Sequence, residues 1–213
     1  MQTLLPFRWA LLALVLLLAW DASPGDLWAM QAVGTPQGFA WREVWLTRGL
    51  IHEGGRWVSY AAMAFIVAVN LSPRLLPALT RRERTWWLVT TLVCLAVISL
   101  IKRVSLTSCP WDLAMFGGAA QYVSHWSFGV QDGGGGHCFP SGHASAAFAY
   151  LAGAWALARA YPRAARRWAV AVVVLGVVYG AGQMVRGAHY PSHTLWTGWI
   201  CWAVTLLAAR WRT

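Results

Sequence analysis

Six stretches of this chain are apolar all the way round. They run from Leu4 to Trp20, Trp57 to Leu71, Trp86 to Ile101, Ala144 to Ala158, Trp168 to Val185 and Thr194 to Ala209, and predict helices over roughly residues 4–20, 57–72, 86–102, 141–159, 168–186 and 192–210. Each approaches the roughly 17–25 residues that a helix needs to cross a hydrocarbon core. Helices buried in a soluble protein would keep a polar stripe, and these have almost none. The pattern predicts an all-α integral membrane bundle of six helices, with residues 1–213 forming a single domain. Two long connections, residues 21–56 and 103–140, fall on the same face. Within the first, Val44 to Ile51 has the pattern of an amphipathic helix lying flat on the bilayer. The second contains Gly133-Gly134-Gly135-Gly136, which reads as a flexible tract. There is no internal repeat. The first run is followed by Asp21-Ala22-Ser23-Pro24-Gly25, which lacks a small-x-small cleavage site. An uncleaved first helix is therefore expected rather than a signal peptide.

Composition sharpens this reading. Hydrophobic residues make up 58% of the chain and charged ones 11%, against about 25% charged in a soluble domain. The 16 tryptophans suit rings that straddle lipid and headgroups. A net charge of +10 raises the question of nucleic acid, but the arginines sit in short clusters between apolar runs. No nucleic-acid partner is expected. With the N-terminus inside, the inner segments hold Arg8, Arg74, Arg81, Arg82, Arg84, Arg159, Arg163, Arg166, Arg167, Arg210 and Arg212. That is eleven of the 17 Lys and Arg, as the positive-inside rule requires. Both termini are then cytoplasmic, and the long connections lie outside.

The six histidines, His52, His125, His137, His143, His189 and His193, all fall in the outside segments or where these join helices. Two contexts suit phosphate. In Phe139-Pro140-Ser141-Gly142-His143-Ala144, Pro, Ser and Gly favour a helix start. Free N–H groups there can face an anion. In Arg186-Gly187-Ala188-His189-Tyr190-Pro191-Ser192-His193, one cation and two imidazoles crowd a short turn. Lys102 ends the third run on the same face. No carboxylate cluster accompanies them, so neither a di-metal site nor a cofactor is expected. A bis-histidine haem would need histidines deep in facing helices, not at their outer ends.

With these residues in view, the chain resembles the type 2 phosphatidic acid phosphatase (PAP2) superfamily, in its membrane-bound bacterial lipid phosphatase branch. That superfamily also includes bacterial acid phosphatases and vanadium haloperoxidases. Its pattern has three parts: Lys-x6-Arg-Pro, Pro-Ser-Gly-His and Ser-Arg-x5-His-x3-Asp. The central part is intact as Pro140 to His143. In the first, Lys102 and Pro110 are in register, with Cys109 in place of Arg. In the third, His189 is in register. Gly182 and Gln183 replace Ser-Arg, and His193 replaces Asp. The resemblance covers roughly residue 86 to the C-terminus. It implies a six-helix bundle of the haloperoxidase-like type with a periplasmic site in a bacterial inner membrane. It also implies metal-independent hydrolysis through a phosphohistidine. His189 would be the nucleophile and His143 the acid and base. Lys102, Ser141 and the N–H of Gly142 would bind the phosphoryl group.

The departures generate their own expectations. Arg186, one turn beyond Gln183, is expected to replace the missing clamp, with help from Arg103. His193 is expected to orient His189 as a neutral acceptor, with Asp112 a possible source of the missing carboxylate. Protonation of His193 would then lower activity near the ordinary imidazole pKa of about 6.5. Cys94 and Cys201 lie in apolar runs as buried thiols. Cys109 and Cys138 lie outside, where disulfides persist, and are expected to pair. Closing that loop would contribute roughly 3–4 kcal/mol in the chain-entropy model. The expected substrate is a lipid phosphate: a polyprenyl diphosphate, phosphatidic acid, phosphatidylglycerol phosphate or a lipid A phosphate. Two alternatives share the site, a lipid-phosphate-binding pseudoenzyme and a phosphotransferase. A haloperoxidase is not expected, since the dense cationic cradle for vanadate is missing. Oligomeric state is not legible in the sequence.

Overall fold

A computed structural model describes residues 5–211. Leu4, the first residue of the first run, and Arg212 of the inner charge clusters lie outside them. Among the described residues there is no β-strand, only two isolated bridges, Thr35–Gly38 and Leu113–Ala120. The helices are α1 (Leu5–Asp21), α2 (Gly25–Gln31), α3 (Gly55–Leu71), α4 (Arg81–Val104), α5 (Gly142–Phe148), α6 (Ala152–Leu157), α7 (Pro162–Val185) and α8 (Pro191–Ala208). A 3-10 turn, Ala149–Leu151, joins α5 to α6, and a π-helix, Leu46–Gly54, runs into α3.

Two helices, α4 and α7, are each long and apolar enough to cross a membrane. α1 and α2 make a third candidate span if taken together, although they bend by 65° at their junction. The expectation of six crossings is thus met by two or three on length and composition. α3 has 17 residues, the α5–α6 rod is interrupted, and α8 opens on polar Ser192, His193 and Thr194. The exterior is nonetheless apolar. Val170, Val173, Val174 and Val177 of α7 are exposed, as are Val89, Leu92 and Val93 of α4 and Leu11, Leu12 and Leu16 of α1. Aliphatic bands of this kind on a single chain mark a lipid-facing surface.

Several helix ends differ from the apolar runs. α4 begins at Arg81 rather than near 86, because Thr80 and Glu83 form a reciprocal capping box. Glu83 also accepts from Arg159 Nε at 2.8 Å, tying the start of α4 to the end of α6. α7 begins at Pro162, in the first-turn position where proline loses no hydrogen bond. Hydropathy misses both starts because the first turns are arginine-rich.

The two long connections are folded. Residues 21–56 contain α2 and the π-helix. Val44 to Ile51 therefore enters a π-helix continuous with α3 rather than a separate surface helix. Residues 103–140 carry two 3-10 turns and pair with themselves, His137 N to Ser105 O and Cys138 N to Thr107 O. The glycine tract is not slack. The Asp132 carboxylate accepts from Ser108 N (2.6 Å), Ser108 Oγ (2.8 Å) and Gly134 N (3.0 Å). Gly136 N donates to Ser108 Oγ at 3.0 Å.

Three packed clusters run along the molecule. One, around Ile66, Trp87, Tyr150 and Val172, holds α3, α4, α7 and the α5–α6 rod together. A second, around Cys94, Ile98, Ala149 and Cys201, joins α4, α8 and that rod. The third, with Met30, Phe39, Leu113, Phe116 and Tyr190, seats both connections on the α7–α8 turn. Asp26 adds to this seat, accepting from Ser192 N at 3.0 Å and from Ser192 Oγ at the start of α8.

Candidate active site

A cavity of about 450 Å³ opens at the end of the bundle where α4 and α7 finish and α5 begins. Its walls include Lys102, Cys109, Trp111, Gly142, His143 and His189, and also His52, Arg56 and Gln183. Four residues expected from the sequence, Lys102, Gly142, His143 and His189, therefore meet in one place.

Local structure explains how. Ser141 caps α5, its Oγ accepting from Ala144 N at 3.3 Å. Its main chain is locked to α8: Ser141 N donates to His193 O at 3.1 Å, and Thr197 Oγ1 donates to Ser141 O at 3.0 Å. Ser141 is fully buried, with its Oγ capping α5, and is absent from the cavity wall. Gly142 and His143 follow in the first turn. The α7–α8 turn bends at Gly187, whose φ is +73°. Its carbonyl accepts from Trp111 N at 2.9 Å, which holds the first-motif loop against His189.

The departures from the family pattern find physical partners. At Gly182 a Cβ would lie 2.7 Å from Ile51. Its absence lets the π-helix dock on α7. Gln183 then donates from Nε2 to His52 Nδ1 at 3.1 Å. Arg186 Nη1 donates to Gln183 Oε1 at 3.3 Å, which fixes the amide orientation. Arg186 Nε donates to the Arg42 carbonyl at 2.9 Å. Arg186 is thus buried behind the wall, supporting Gln183, and does not line the cavity as the expected clamp. Arg103 is exposed and likewise absent from the wall. Asp112 takes the N–H of Cys109 at 3.3 Å, capping its own turn rather than reaching His189.

His52, Arg56 and Gln183 were missed by motif reasoning. His52 and Arg56 are four residues apart on one continuous helical segment, so one side of it presents both. That spacing was the available signal, but nothing local says that this side faces His143.

His143 Nε2 donates to the Ile51 carbonyl at 3.2 Å, and its ring lies 4.5 Å from that of His52. Lys102 Nζ donates to the His137 carbonyl. His189 is buried, and its Nδ1 lies 3.5 Å from Cys138 Sγ. Burial holds its pKa well below the usual imidazole value, reinforced by the charge of Lys102 and by His143, with the Cys138 carbonyl opposing. Burial and then the charges of Arg186 and Arg56 push His52 down as well. Both rings are therefore neutral at pH 7, suited to giving a lone pair rather than holding a proton.

His193 does not orient His189 by a hydrogen bond. The two rings are 5.8 Å apart, and His193 Nδ1 pairs with the Cys138 carbonyl at 3.0 Å. His193 Nε2 is buried without a partner. The expected activity loss near pH 6.5 loses its basis with that contact. Cys109 and Cys138 form a disulfide, with Cα atoms 5.1 Å apart. With His189 they make the one metal-ligand cluster among the described residues, and its sulfurs are bonded to each other rather than available as thiolates.

An all-helical membrane protein with histidines and cations lining a cavity at one end has the residue types that phosphate chemistry needs. The comparison with known families agrees: the model of the PAP2 superfamily matches residues 84–213. The chain belongs to the PAP2 superfamily. No curated protein and no solved structure matches it. Membership points to phosphatase activity on phosphate esters, and so to a phosphoric ester hydrolase.

Proposed function

We propose that the protein is a membrane lipid phosphatase that hydrolyses a phosphomonoester or diphosphate through a phosphohistidine, without a metal. The observation that carries this is the meeting of His189, His143, Lys102 and Arg56 on one cavity of a bundle whose sides are apolar. The apolar sides favour a substrate whose tail stays in the bilayer. Candidates are a polyprenyl diphosphate, phosphatidic acid, phosphatidylglycerol phosphate or a lipid A phosphate.

In this reading Lys102, Arg56 and the Gly142 N–H hold the phosphoryl oxygens. Preorganised charge of this kind is usually the largest catalytic contribution. The His189 Nε2 lone pair attacks phosphorus as the bond to the leaving oxygen breaks, and His143, drawn into its imidazolium form by the bound anion, gives its proton to that oxygen. Because His143 Nε2 is held by Ile51, Nδ1 is left for this exchange. Water then attacks phosphorus, the N–P bond breaks, and His143 takes the water proton.

The reading places the protein in a bacterial inner membrane with cytoplasmic termini and a periplasmic cavity. Arg81, Arg82, Arg159 and Arg163 at the opposite end support this orientation. The disulfide beside the cavity suits an oxidising compartment.

Phosphate release from a panel of lipid phosphates by detergent-purified protein tests the proposal. Activity on at least one lipid, abolished in His189→Ala, is expected. Binding of the lipids without release would favour a lipid-phosphate-binding pseudoenzyme, a reading favoured by the lack of a carboxylate on His189 among the described residues. Transfer of phosphate to a second lipid instead of water would favour a phosphotransferase.

A further inference from the structure

The nucleophile lacks the usual support for its ring. Among the described residues His189 has no carboxylate partner. Its Nδ1 faces Cys138 Sγ at 3.5 Å. The second sulfur of the same disulfide, on Cys109, belongs to a residue that lines the cavity. The Ala188 carbonyl oxygen lies 3.2 Å from Cys138 Sγ on the same side. The Cys138 carbonyl accepts from His193 Nδ1 at 3.0 Å and also favours a proton on the His189 ring, so it and the sulfur act in the same direction.

We infer that the Cys109–Cys138 disulfide is a positioning group for His189, taking over the task of setting its tautomer. This rests on the reading of His189 as nucleophile. A disulfide sulfur carries lone pairs and no proton. A ring with its proton on Nδ1 points N–H at those lone pairs, a weak attraction. The other tautomer points a lone pair at them, which is repulsive in a buried site. The proton therefore settles on Nδ1, and Nε2 keeps the lone pair that attacks. A reduced Cys138 is different. Its S–H can donate to Nδ1 and draw the proton preference to Nε2, which removes the nucleophilic lone pair. The same covalent bond thus sets both the loop and the proton. His193 contributes by holding the Cys138 carbonyl, and with it the position of the sulfur.

Two double variants separate this role from simple stapling, since both lack the cross-link. Cys109→Ala with Cys138→Ser places a hydroxyl donor beside Nδ1, as the reduced thiol does. Cys109→Ala with Cys138→Ala removes it. At equal thermal midpoints, the Ala form should retain kcat at least about tenfold above the Ser form, with KM values within about twofold. Equal kcat in the two forms would reduce the disulfide to a staple and overturn the inference.

A second measurement does not depend on turnover. Nitrogen-15 histidine NMR of the detergent-solubilised protein, with His189 assigned through His189→Gln, reports the tautomer directly. The oxidised protein should show His189 protonated on Nδ1. Reduction with a phosphine, verified by mass spectrometry, should shift the population towards Nε2. An unchanged tautomer after confirmed reduction would sink the inference. If the protein hydrolyses no lipid phosphate, the NMR measurement still decides whether the disulfide sets the tautomer, while the panel assay separately decides whether the protein is a phosphatase.

Discussion

A neutral imidazole buried beside a lysine makes His189 sensitive to acid in a definite direction. Its folded pKa lies well below the unfolded value of about 6.5. Below 6.5 the unfolded chain binds the proton and the native state resists it, so stability falls as pH drops from there towards the folded pKa. Above 6.5 the group has no effect. Thermal midpoints between pH 7.5 and 5 should therefore fall more in the wild type than in His189→Gln. An equal fall would show that the ring titrates normally. At the same scale, His143→Asn is expected to lower kcat by roughly 10²–10⁴, the usual worth of a positioned acid or base. Steady-state phosphate release checks this. Arg186→Gln should reduce activity through the Gln183–His52 contact, with KM for the phosphate ester nearly unchanged because Arg186 does not face the cavity. A large rise in KM would restore its expected role as clamp. Residue by residue, the motif anchors Lys102, Gly142, His143 and His189 were readable because each sits at a helix end with its own local signature. His52, Arg56 and Gln183 were not. Their place depends on a gap at Gly182 that only tertiary packing reveals.

The elements carry their own tests. Thr80→Ala removes one half of the α4 capping box and should destabilise the protein by about 1 kcal/mol. Phosphate release should be unaffected, since the cap is at the end away from the cavity. In the glycine tract, neighbouring positions should behave oppositely. A Cβ at Gly134 would meet Ser108 Oγ at 2.3 Å, while one at Gly135 would meet nothing within 4 Å. Gly134→Ala should therefore cost roughly 1–3 kcal/mol of overpacking, and Gly135→Ala should fall within about 0.5 kcal/mol of wild type, as a surface change does. Chemical denaturation of the two variants checks both. Similar small effects would return the tract to the flexible loop that its composition suggests. Composition misjudged it because the ordering comes from Asp132 and Ser108, 24 residues apart in sequence. Hydropathy likewise located the apolar middles of the helices. It misplaced the starts of α4 and α7, where arginines are tolerated in a first turn.

Across the whole molecule, the layer of connections at the cavity end is tied down by aspartates. Asp21 accepts from Trp126 Nε1 at 2.9 Å and Trp196 Nε1 at 2.7 Å. It therefore joins α1 to the second long connection and to α8. Asp26 holds the first turn of α8. Neither was expected from the sequence, because an acidic residue just past an apolar run reads as a solvated end. The membrane class and the family were legible at this scale because composition and three spaced motifs reach along the chain. The ties that bring the ends together were not, because a single carboxylate has no pattern.

Those ties also bear on how the protein is made. Asp26 and Ser192 are separated by 166 residues, and Asp21 and Trp196 by 175. Contacts of such sequence separation form late and slowly in folding. During synthesis, α1 and α2 leave the ribosome long before their partners exist. The disulfide can close earlier, since Cys109 and Cys138 are only 29 residues apart. The turn that carries His189 follows both, immediately ahead of the helix that anchors it. Assembly of the cavity is therefore coupled to the emergence of α8, and a nascent protein lacking α8 holds its first helices without the surface that fixes His189.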